Sequence, residues 1–460
     1  MEDKEIIIKI IDIDVQDIRF PTSLKGDGSD AMHTDVDHSC VYVTIKTDKE
    51  YEGYGITCTV GRGNELVLQT CKLLFELIRN QTTKEIYTNF AAVWRKLTSD
   101  TQLRWIGPES GIIHLATAAI INALWDLWAR IENKPVWKLL RDMTPEQLVS
   151  TVDFRYIRNI LSEEEAIQML RENESKKEEC EEFLKKCGYP AYAADVGWLR
   201  YSYWKTAGLT KKFAKLDFKC FKVTVDQTEK GVKRCRAVRN VAGWQKQLML
   251  DASQAWDVPE VANNVIRFNN FQPFCIEDAL SPDDFLGIIY IKLNPEKKKF
   301  FTTGKMGANR VTFKGFHRLQ AFCFWQLNVA RLGGINEALA VYLMAKKLDV
   351  PVWGCANGVG LGEMVQHLQM WDFVCLSQTT ENRMIEFVNR NHGYFKNPVH
   401  IQNACYMPPK HSGFSTKLKD KFIVRWSYPG GTRWKYLFKT GHFKNENEEN
   451  DSCSLASKRE

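Results

Sequence analysis

Polar and reactive side chains recur at or just beyond the ends of short apolar runs in the second half of the chain. They are Thr224, Asp251, Glu277, Lys305, Asn328, Cys355 and Glu386. Groups of these types can exchange protons or pair their charges. If the apolar runs are parallel strands, their carboxyl ends meet at one face, which is where such folds carry their sites. The sequence therefore predicts one shared site.

The apolar runs are the candidate strands. They comprise 148–154 as the first buried strand, followed by 221–225, 248–250, 274–276, 300–303, 322–327, 350–353 and 383–387. The polar positions that follow them are roughly 23 to 31 residues apart, about the length of a strand, a helix and two loops. This rhythm predicts an α/β barrel. A doubly wound open sheet stays an alternative, although the chain contains neither G-x-G-x-x-G after a first strand nor G-x-x-x-x-G-K-[ST].

The first third of the chain has a different pattern. Apolar alternation over 5–20 and at Val41, Val43 and Ile45 predicts a strand meander. The polar stretch 21–30 contains two glycines and is typical of a mobile loop that covers a site. Residues 112–131 predict a helix that is apolar on nearly every face and is therefore buried. A charged, solvated helix is expected over 162–186.

Composition and charge exclude several classes of protein. Apolar residues make up 44% and charged residues 26% of the 460 positions, as in ordinary globular proteins, and we expect no membrane span. The net charge of +7 comes from scattered Lys and Arg among acids, which argues against nucleic acid binding. The length predicts two domains.

Cysteine usage and the N-terminus bear on the compartment. The 13 cysteines are an odd number, lie far apart and include no C-x-x-C pair, so a reducing compartment is expected. The first residues lack a signal core and the Arg-rich character of a transit peptide, which favours a cytoplasmic location. The acidic stretch from about 444 predicts a disordered tail.

Three groups of residues carry a resemblance to a known family. They are RFPTS at 19–23 leading to DAMHTD at 30–35, RWIGPE at 104–109 leading to NALWDLW at 122–128, and SPDD at 281–284 after Glu277. Over residues 6–434 the chain resembles the L-fuconate dehydratase branch of the enolase superfamily. The resemblance implies an α/β fold with an N-terminal α+β capping domain at 1–140 and a modified TIM barrel, (β/α)7β, at 141–395. It also implies a return segment to the cap at 396–442, which leaves 443–460 as the tail.

The resemblance implies a magnesium site made of three carboxylates at the ends of successive strands. The positions are Asp251, Glu277 and Lys305, so the third ligand is a lysine. Two carboxylates with one ammonium carry the same net charge as three carboxylates with Mg²⁺, and we interpret Lys305 as a tethered replacement for the ion. Like charges about 4 Å apart repel by roughly 1 to 4 kcal/mol. We therefore expect no specific Mg²⁺ binding, and salt bridges alone would also explain the two acids.

The groups that the resemblance assigns to proton transfer are replaced as well. Thr224 stands where the family has the lysine base, and a threonine hydroxyl cannot take a carbon-bound proton without an activating partner. Cys355 and Asn328 stand where the family has a histidine acid and the aspartate that orients it. Cys355 would be reactive only if lysines lowered its pKa, and an inert thiol is the simpler interpretation.

The resemblance also implies contacts with a sugar acid similar to L-fuconate. Its positions are Gly28, Ser29 and Asp30 in the capping loop, together with His38, Lys222, Ser253 and Glu386. His38 and Ser253 replace the usual Tyr and Asn, and a surface position for His38 is the simpler reading. Lys222 either contacts the substrate carboxylate or pairs with Asp251 or Glu386, and both alternatives stay open.

The sequence thus predicts a relative of sugar-acid hydro-lyases that is catalytically weak or inactive and kept as a sugar-acid binder. One alternative is an active lyase or epimerase with Lys222 as base. Another is a non-catalytic partner of an active paralogue. A homo-oligomer and, for a member of this branch, a mitochondrial location are left open.

Overall fold

Three antiparallel strands open the chain in a computed structural model that describes residues 7–293, 301–319 and 322–444. The strands are Ile10–Arg19 (β1), Ser39–Thr47 (β2) and Glu52–Thr59 (β3). Their order is β1-β2-β3, with Val43 of β2 opposite Val15 and Gly55. The predicted meander is confirmed. The predicted disordered tail lies outside the described residues from position 445 onward.

Eight helices follow the meander and precede the next long strand. They are Asn64–Phe75 (α1), Thr83–Thr88 (α2), Phe90–Thr98 (α3), Gly111–Ile131 (α4), Val136–Asp142 (α5), Pro145–Ser150 (α6), Glu163–Glu172 (α7) and Lys177–Cys187 (α8). Helix α4 packs on β3 so closely that a Cβ added to Gly55 would lie 1.9 Å from the carbonyl oxygen of Ala119. Only glycine permits this approach of the helix to the sheet.

Helix α4 corrects one expectation and confirms another. Its 21 residues are long and apolar enough to cross a membrane, contrary to the expectation that no such segment exists. However, 83% of its most apolar stretch is buried inside the protein, as predicted from its apolar character on all faces. It therefore has the burial of a core helix.

Eight parallel strands form the barrel. They are Tyr189–Gly197 (β4), Cys220–Thr224 (β5), Gln247–Asp251 (β6), Cys275–Glu277 (β7), Phe301–Thr302 (β8), Trp325–Leu327 (β9), Val352–Gly354 (β10) and Ile385–Phe387 (β11). Hydrogen bonding gives the order β8-β7-β6-β5-β4-β11-β10-β9, and a parallel bridge between Thr303 and Trp325 joins the two ends. This closure excludes the open doubly wound sheet.

A helix follows each of the first seven barrel strands. The helices are Tyr203–Ala214 (α9), Glu229–Ala242 (α10), Val258–Asn269 (α11), Phe285–Leu293 (α12), Arg310–Leu319 (α13), Ile335–Lys347 (α14) and Leu361–Trp371 (α15). The predicted fold class, an N-terminal α+β domain with a (β/α)7β barrel, is confirmed.

Two local predictions are wrong. Residues 148–154 do not form the first barrel strand, because Thr144 caps a helix, α6, that carries proline in its first turn. The first barrel strand is β4. The helix expected over 162–186 is two helices, α7 and α8, with a short 3-10 turn between them. The side chain of Asn173 anchors this break by donating to the carbonyl oxygens of Cys375 and Leu376, at 3.2 and 2.7 Å.

The chain after β11 runs back to the first strands. Its elements are Ile401–Gln402 (β12), Cys405–Tyr406 (β13), Asp420–Trp426 (α16) and Thr432–Lys439 (α17). Strand β13 pairs with the start of β4, and the indole of Trp434 donates to the carbonyl oxygen of Arg19 at 3.0 Å. The last helix is thereby fastened to β1, next to the loop that follows this strand.

Candidate active site

The strand register aligns three of the predicted site residues. Thr224 pairs with Asp251, Asp251 pairs with Glu277, and Glu277 pairs with Thr302, so all four residues lie in one layer at the carboxyl ends of β5 to β8. Lys222 lies two residues before Thr224 and therefore shares its face of the strand. Each of these side chains is almost completely buried.

Lys305 lies between the two predicted metal ligands. Its Nζ is 2.7 Å from Oδ2 of Asp251, 2.8 Å from Oε1 of Glu277 and 3.7 Å from Oδ2 of Asp278. Burial alone would lower the pKa of Lys305, but the charges of Asp251 and Glu277 outweigh it and raise the pKa well above its usual value. Lys305 is therefore an ammonium ion at neutral pH.

Lys222 makes a second set of charge contacts deeper in the barrel. Its Nζ lies 2.5 Å from Oε1 of Glu386, 3.1 Å from Oε2 of Glu277 and 3.5 Å from Oδ2 of Asp251. Burial opposes its charge, yet Glu277 and Glu386 raise its pKa well above the usual value. The three N–H groups of Lys222 face three carboxylates, so this geometry favours the salt-bridge alternative.

The two carboxyl groups between these lysines titrate differently. Burial and the charge of Asp251 raise the pKa of Glu277 to about 7. Burial also opposes the charge of Asp251, but Lys305 and Lys222 outweigh it and lower its pKa. Of these two groups, only Glu277 therefore has a pKa near neutral pH.

The residues present do not fit a divalent cation. Oδ1 of Asp251 accepts from the backbone and hydroxyl of Ser253 at 2.9 and 3.0 Å, and Oδ2 faces Lys305. Oε1 of Glu277 faces Lys305, and Oε2 accepts from Gln326 at 2.9 Å and from Lys222 at 3.1 Å. All four carboxylate oxygens of Asp251 and Glu277 thus already have hydrogen-bond or ion-pair partners. Across 7–293, 301–319 and 322–444, no group of three or more His, Cys, Asp or Glu residues could hold a metal ion.

Cys355 and Asn328 have separate partners. The Sγ of Cys355 donates to Oε2 of Glu386 at 3.3 Å, and the backbone N–H groups of Ala356 and Asn357 donate to the same oxygen at 2.8 and 2.9 Å. Burial and Glu386 raise the pKa of Cys355 well above its usual value, which leaves an inert thiol. Oδ1 of Asn328 accepts from the backbone of Ala330 at 3.1 Å, a local turn contact.

The capping loop is held against the barrel. Ser29 is 1% exposed; its hydroxyl donates to Gly26 at 2.7 Å and accepts from the backbone of Arg200 at 3.1 Å. The carboxylate of Asp30 contacts the ring of His33 and the backbone of Met32. The loop contains a short 3-10 helix, Thr22–Lys25, and its predicted mobility stays a prediction.

His38 does not lie on the surface, contrary to the simpler expectation. It is 5% exposed, and a Cβ added to Gly28 would lie 2.4 Å from its Nε2 atom. Burial and the charge of Arg390 lower the pKa of His38 to about 4, so the ring is neutral at pH 7. Gly28 and His38 therefore form a packed contact between the capping loop and the start of β2.

Comparison with known proteins identifies the fold family. The profile of the mandelate racemase / muconate lactonizing enzyme N-terminal domain matches residues 16–141, and that of the enolase C-terminal domain-like family matches residues 205–422. Mitochondrial enolase superfamily member 1 of Bos taurus is 48% identical over 92% of this chain and 97% of that protein. The chain belongs to the enolase superfamily. The predicted resemblance is confirmed.

Relatives of this enolase-superfamily chain include sugar-acid dehydratases. L-galactonate dehydratase of Hypocrea jecorina is 40% identical over 91% of this chain and 94% of that protein. The crystal structure of human mitochondrial enolase superfamily member 1 superposes with a TM-score of 0.92 at 45% identity, covering 94% of this chain and 99% of that chain. L-talarate/galactarate dehydratase from Salmonella typhimurium, which is 17% identical with a TM-score of 0.70 and covers 93% and 95% of the two chains, was crystallised with Mg and L-lyxarohydroxamate.

Sequence reasoning missed two residues of the charge cluster in this enolase-superfamily chain. Gln326 points into the barrel from β9 and donates to Glu277. Asp278 accepts from the hydroxyl of Thr303 at 2.7 Å and lies beside Lys305. Residues two apart in a strand point to the same face, and Asn328 was already assigned to the site. The alternation of β9 could therefore have placed the side chain of Gln326 inside the barrel.

A third missed residue, Asp27, lies in the capping loop. Tyr201 donates to its carboxylate at 2.7 Å, and Arg390 lies 3.0 Å from it. Tyr201 follows β4 and Arg390 follows β11, so Asp27 joins the loop to two barrel strands. No local sequence signal marks Asp27, since acidic residues are common in polar loops.

Proposed function

We propose that this enolase-superfamily protein binds a sugar acid without Mg²⁺ and dehydrates it weakly or not at all. The observation that carries the proposal is the position of the Lys305 ammonium between Asp251 and Glu277. One tethered ammonium and two carboxylates sum to a net charge of minus one, the same as three carboxylates with Mg²⁺, so the site keeps its charge balance without the ion. A metal ion entering beside it would meet a like charge and would have to displace existing contacts.

Loss of proton transfer supports the same conclusion. Thr224 cannot serve as base, and Lys222, whose pKa is raised by its carboxylate partners, holds its proton at neutral pH. On the other side, the thiol of Cys355 keeps its proton, and Asn328 cannot orient it as an aspartate orients a histidine. Lys222 is therefore unsuited to the role of base in the enzyme alternative.

Lys305 is the better candidate for binding the ligand carboxylate. Its side chain is 13% exposed, whereas that of Lys222 is 1% exposed. Its Nζ lies 2.7 Å from Asp251 and 2.8 Å from Glu277 but 3.7 Å from Asp278, and a ligand carboxylate would take the place of that longest contact. The sugar acid itself is proposed from the relatives, among which L-galactonate dehydratase is named for such a substrate.

Binding in the absence of metal provides the test. L-fuconate is titrated calorimetrically into the protein with excess EDTA and, separately, with Mg²⁺. We expect the same affinity in both titrations. Lys305→Met should weaken binding roughly tenfold, the worth of one hydrogen bond to a charged group. Lys211→Met removes an exposed lysine of α9 and is the matched control. Binding that occurs only with Mg²⁺ would refute the proposal.

The cytoplasmic location, the domain boundaries and a homo-oligomer stay predictions. The relatives from Bos taurus and human named above carry the word mitochondrial in their names. Expression of the full chain with a C-terminal tag and cell fractionation would distinguish the two compartments.

A further inference from the structure

A cleft of about 860 Å³ lies away from the barrel site, between helices α5, α8 and α15 and the return segment. None of its lining residues belongs to the charge cluster around Lys305 or to the capping loop. Its volume is in the range of pockets that hold small organic ligands. The cleft is therefore a candidate ligand site separate from the barrel site.

The charges that line this cleft are mostly positive. Lys138, Lys185, Lys396 and Lys410 face one acid, Glu181. Glu181 is 5% exposed in its side chain and is already saturated, with Lys138 at 2.6 Å, Lys185 at 2.8 Å and Arg141 at 3.2 Å. One carboxylate cannot neutralise so many cations, and the lining keeps a surplus of positive charge.

Two of these lysines carry most of the surplus. Neither Lys396 nor Lys410 forms an ion pair with an acidic side chain of residues 7–293, 301–319 or 322–444. No carboxylate oxygen in these ranges lies within 4.0 Å of either Nζ atom. Both side chains are exposed. The pKa of nearby Lys417 is lowered by burial and then by Lys396, which agrees with unbalanced positive charge at this end of the cleft.

The walls of the cleft combine apolar and polar groups. Trp137, Met407, Pro408 and Pro409 supply flat apolar surface. Gln366 is 2% exposed, and its Oε1 atom accepts no hydrogen bond from any residue in the described ranges. A buried acceptor without a donor is unfavourable and is commonly satisfied by water or a ligand.

We propose that this basic cleft binds an organic phosphate in which a dianionic phosphate is joined to a flat apolar ring. Lysines bind phosphate as point charges, and Lys396 and Lys410 are exposed and have no acidic partner among the residues that the structure describes. The proline, methionine and tryptophan side chains provide the surface for the ring. A hydroxyl or amino group of the ligand, or a water that it orders, would donate toward the wall that contains Gln366.

A nucleotide is the simplest probe of this chemistry. AMP, adenosine and inorganic phosphate are each titrated calorimetrically into the full chain at low ionic strength and without metal. We expect AMP to bind roughly tenfold more tightly than either fragment, because only AMP makes both the charge and the ring contacts. Raising the salt concentration should weaken AMP binding, since the charge contacts are screened.

Paired lysine substitutions locate the binding. Lys396→Ala combined with Lys410→Ala should weaken AMP binding roughly tenfold or more, because two charged contacts are lost. Lys72→Ala combined with Lys211→Ala removes the same charge from exposed positions of α1 and α9 and should leave the affinity unchanged. All four lysines are exposed, so the variants should fold, and circular dichroism checks that they do.

Three results would overturn the proposal. AMP could fail to bind at millimolar concentration, or it could bind equally well to the Lys396→Ala, Lys410→Ala variant. Inorganic phosphate could also bind as tightly as AMP, which would show that the apolar walls contribute nothing. L-fuconate binding is a separate titration, so failure of this proposal leaves the proposed function untouched.

Discussion

The Nζ of Lys305 lies 2.7 Å from Oδ2 of Asp251, although the two residues are 54 positions apart in the chain. The contact joins the segment after β8 to the end of β6 across the mouth of the barrel. It places a positive charge at the centre of a layer of carboxylates. The predictions about metal and catalysis follow from this contact.

Lys305→Glu should convert the site from metal-independent to metal-dependent. Without Mg²⁺ the variant should be destabilised by about 3 to 5 kcal/mol, because buried Asp251 and Glu277 lose their ammonium partner and gain a third negative charge. Millimolar Mg²⁺ should restore much of this loss by binding the folded state. Thermal unfolding with and without Mg²⁺ measures the effect.

The unmodified protein and Lys211→Glu are the controls for this experiment. Neither should gain thermal stability from Mg²⁺. If the unmodified protein binds Mg²⁺ with micromolar affinity, Lys305 is not a replacement for the ion.

Dehydration should return only when all the altered groups are restored together. Thr224→Lys, Lys305→Glu, Asn328→Asp and Cys355→His would supply the base, the third carboxylate and the acid pair, which act on one substrate at the same moment. Effects of groups that act as a unit are strongly non-additive, so each partial set should stay inactive. Formation of a 2-keto-3-deoxy acid from L-fuconate with Mg²⁺ is the measurement.

The quadruple variant should be weakly active, because Ser253 and His38 still differ from the family residues. Robust Mg²⁺-dependent turnover by the unmodified chain, abolished by Lys222→Ala, would contradict the prediction and indicate rerouted chemistry.

Gly28→Ala should release the capping loop. The backbone angle φ of Gly28 is 81°, and an added Cβ would lie 2.4 Å from the ring of His38, so alanine is both strained and too large. We expect faster amide exchange over 22–37 and weaker L-fuconate binding, with little change in the barrel. Hydrogen–deuterium exchange followed by mass spectrometry measures this.

Gly243→Ala is a matched control for the loop experiment. Gly243 also has a positive φ, but a Cβ there would meet nothing within 4 Å. Equal exchange over 22–37 in both variants would mean that the contact with His38 does not hold the loop.

His38 should make stability depend on pH. Its pKa is lowered from 6.5 to about 4 in the folded protein, chiefly by burial. Between these values the unfolded chain binds more protons, so the free energy of unfolding should rise as pH increases from 4 to 6.5 and then level off. The contribution is about 3 kcal/mol.

His38→Gln removes the titrating group and should flatten this part of the curve. Urea unfolding of both proteins at a series of pH values gives the difference, in which other groups cancel. If the free energy of unfolding changes with pH in the same way in both proteins, His38 does not titrate with a lowered pKa.

The sequence alone determined the barrel and most of the site. Strand ends at regular spacing placed Asp251, Glu277 and Glu386 at one face, because parallel strands must end together, and side-chain alternation put Lys222 beside Thr224. The resemblance to the family also predicts that Lys305, Asn328 and Cys355 replace residues of the family's site, and this stays a prediction. The first barrel strand was misplaced because a short apolar run such as 148–154 fits a strand or a capped helix equally well.

Only the tertiary structure decided how the charges pair and that this pairing does not fit a divalent cation. Lys222 had two roles open to it, and its distances to three carboxylates favour the salt bridge because a buried ammonium requires full compensation. Gln326 and Asp27 joined the site, and His38 proved buried, through contacts between residues far apart in the chain. Such contacts leave no local pattern in the sequence, because burial and charge balance are properties of the packed molecule.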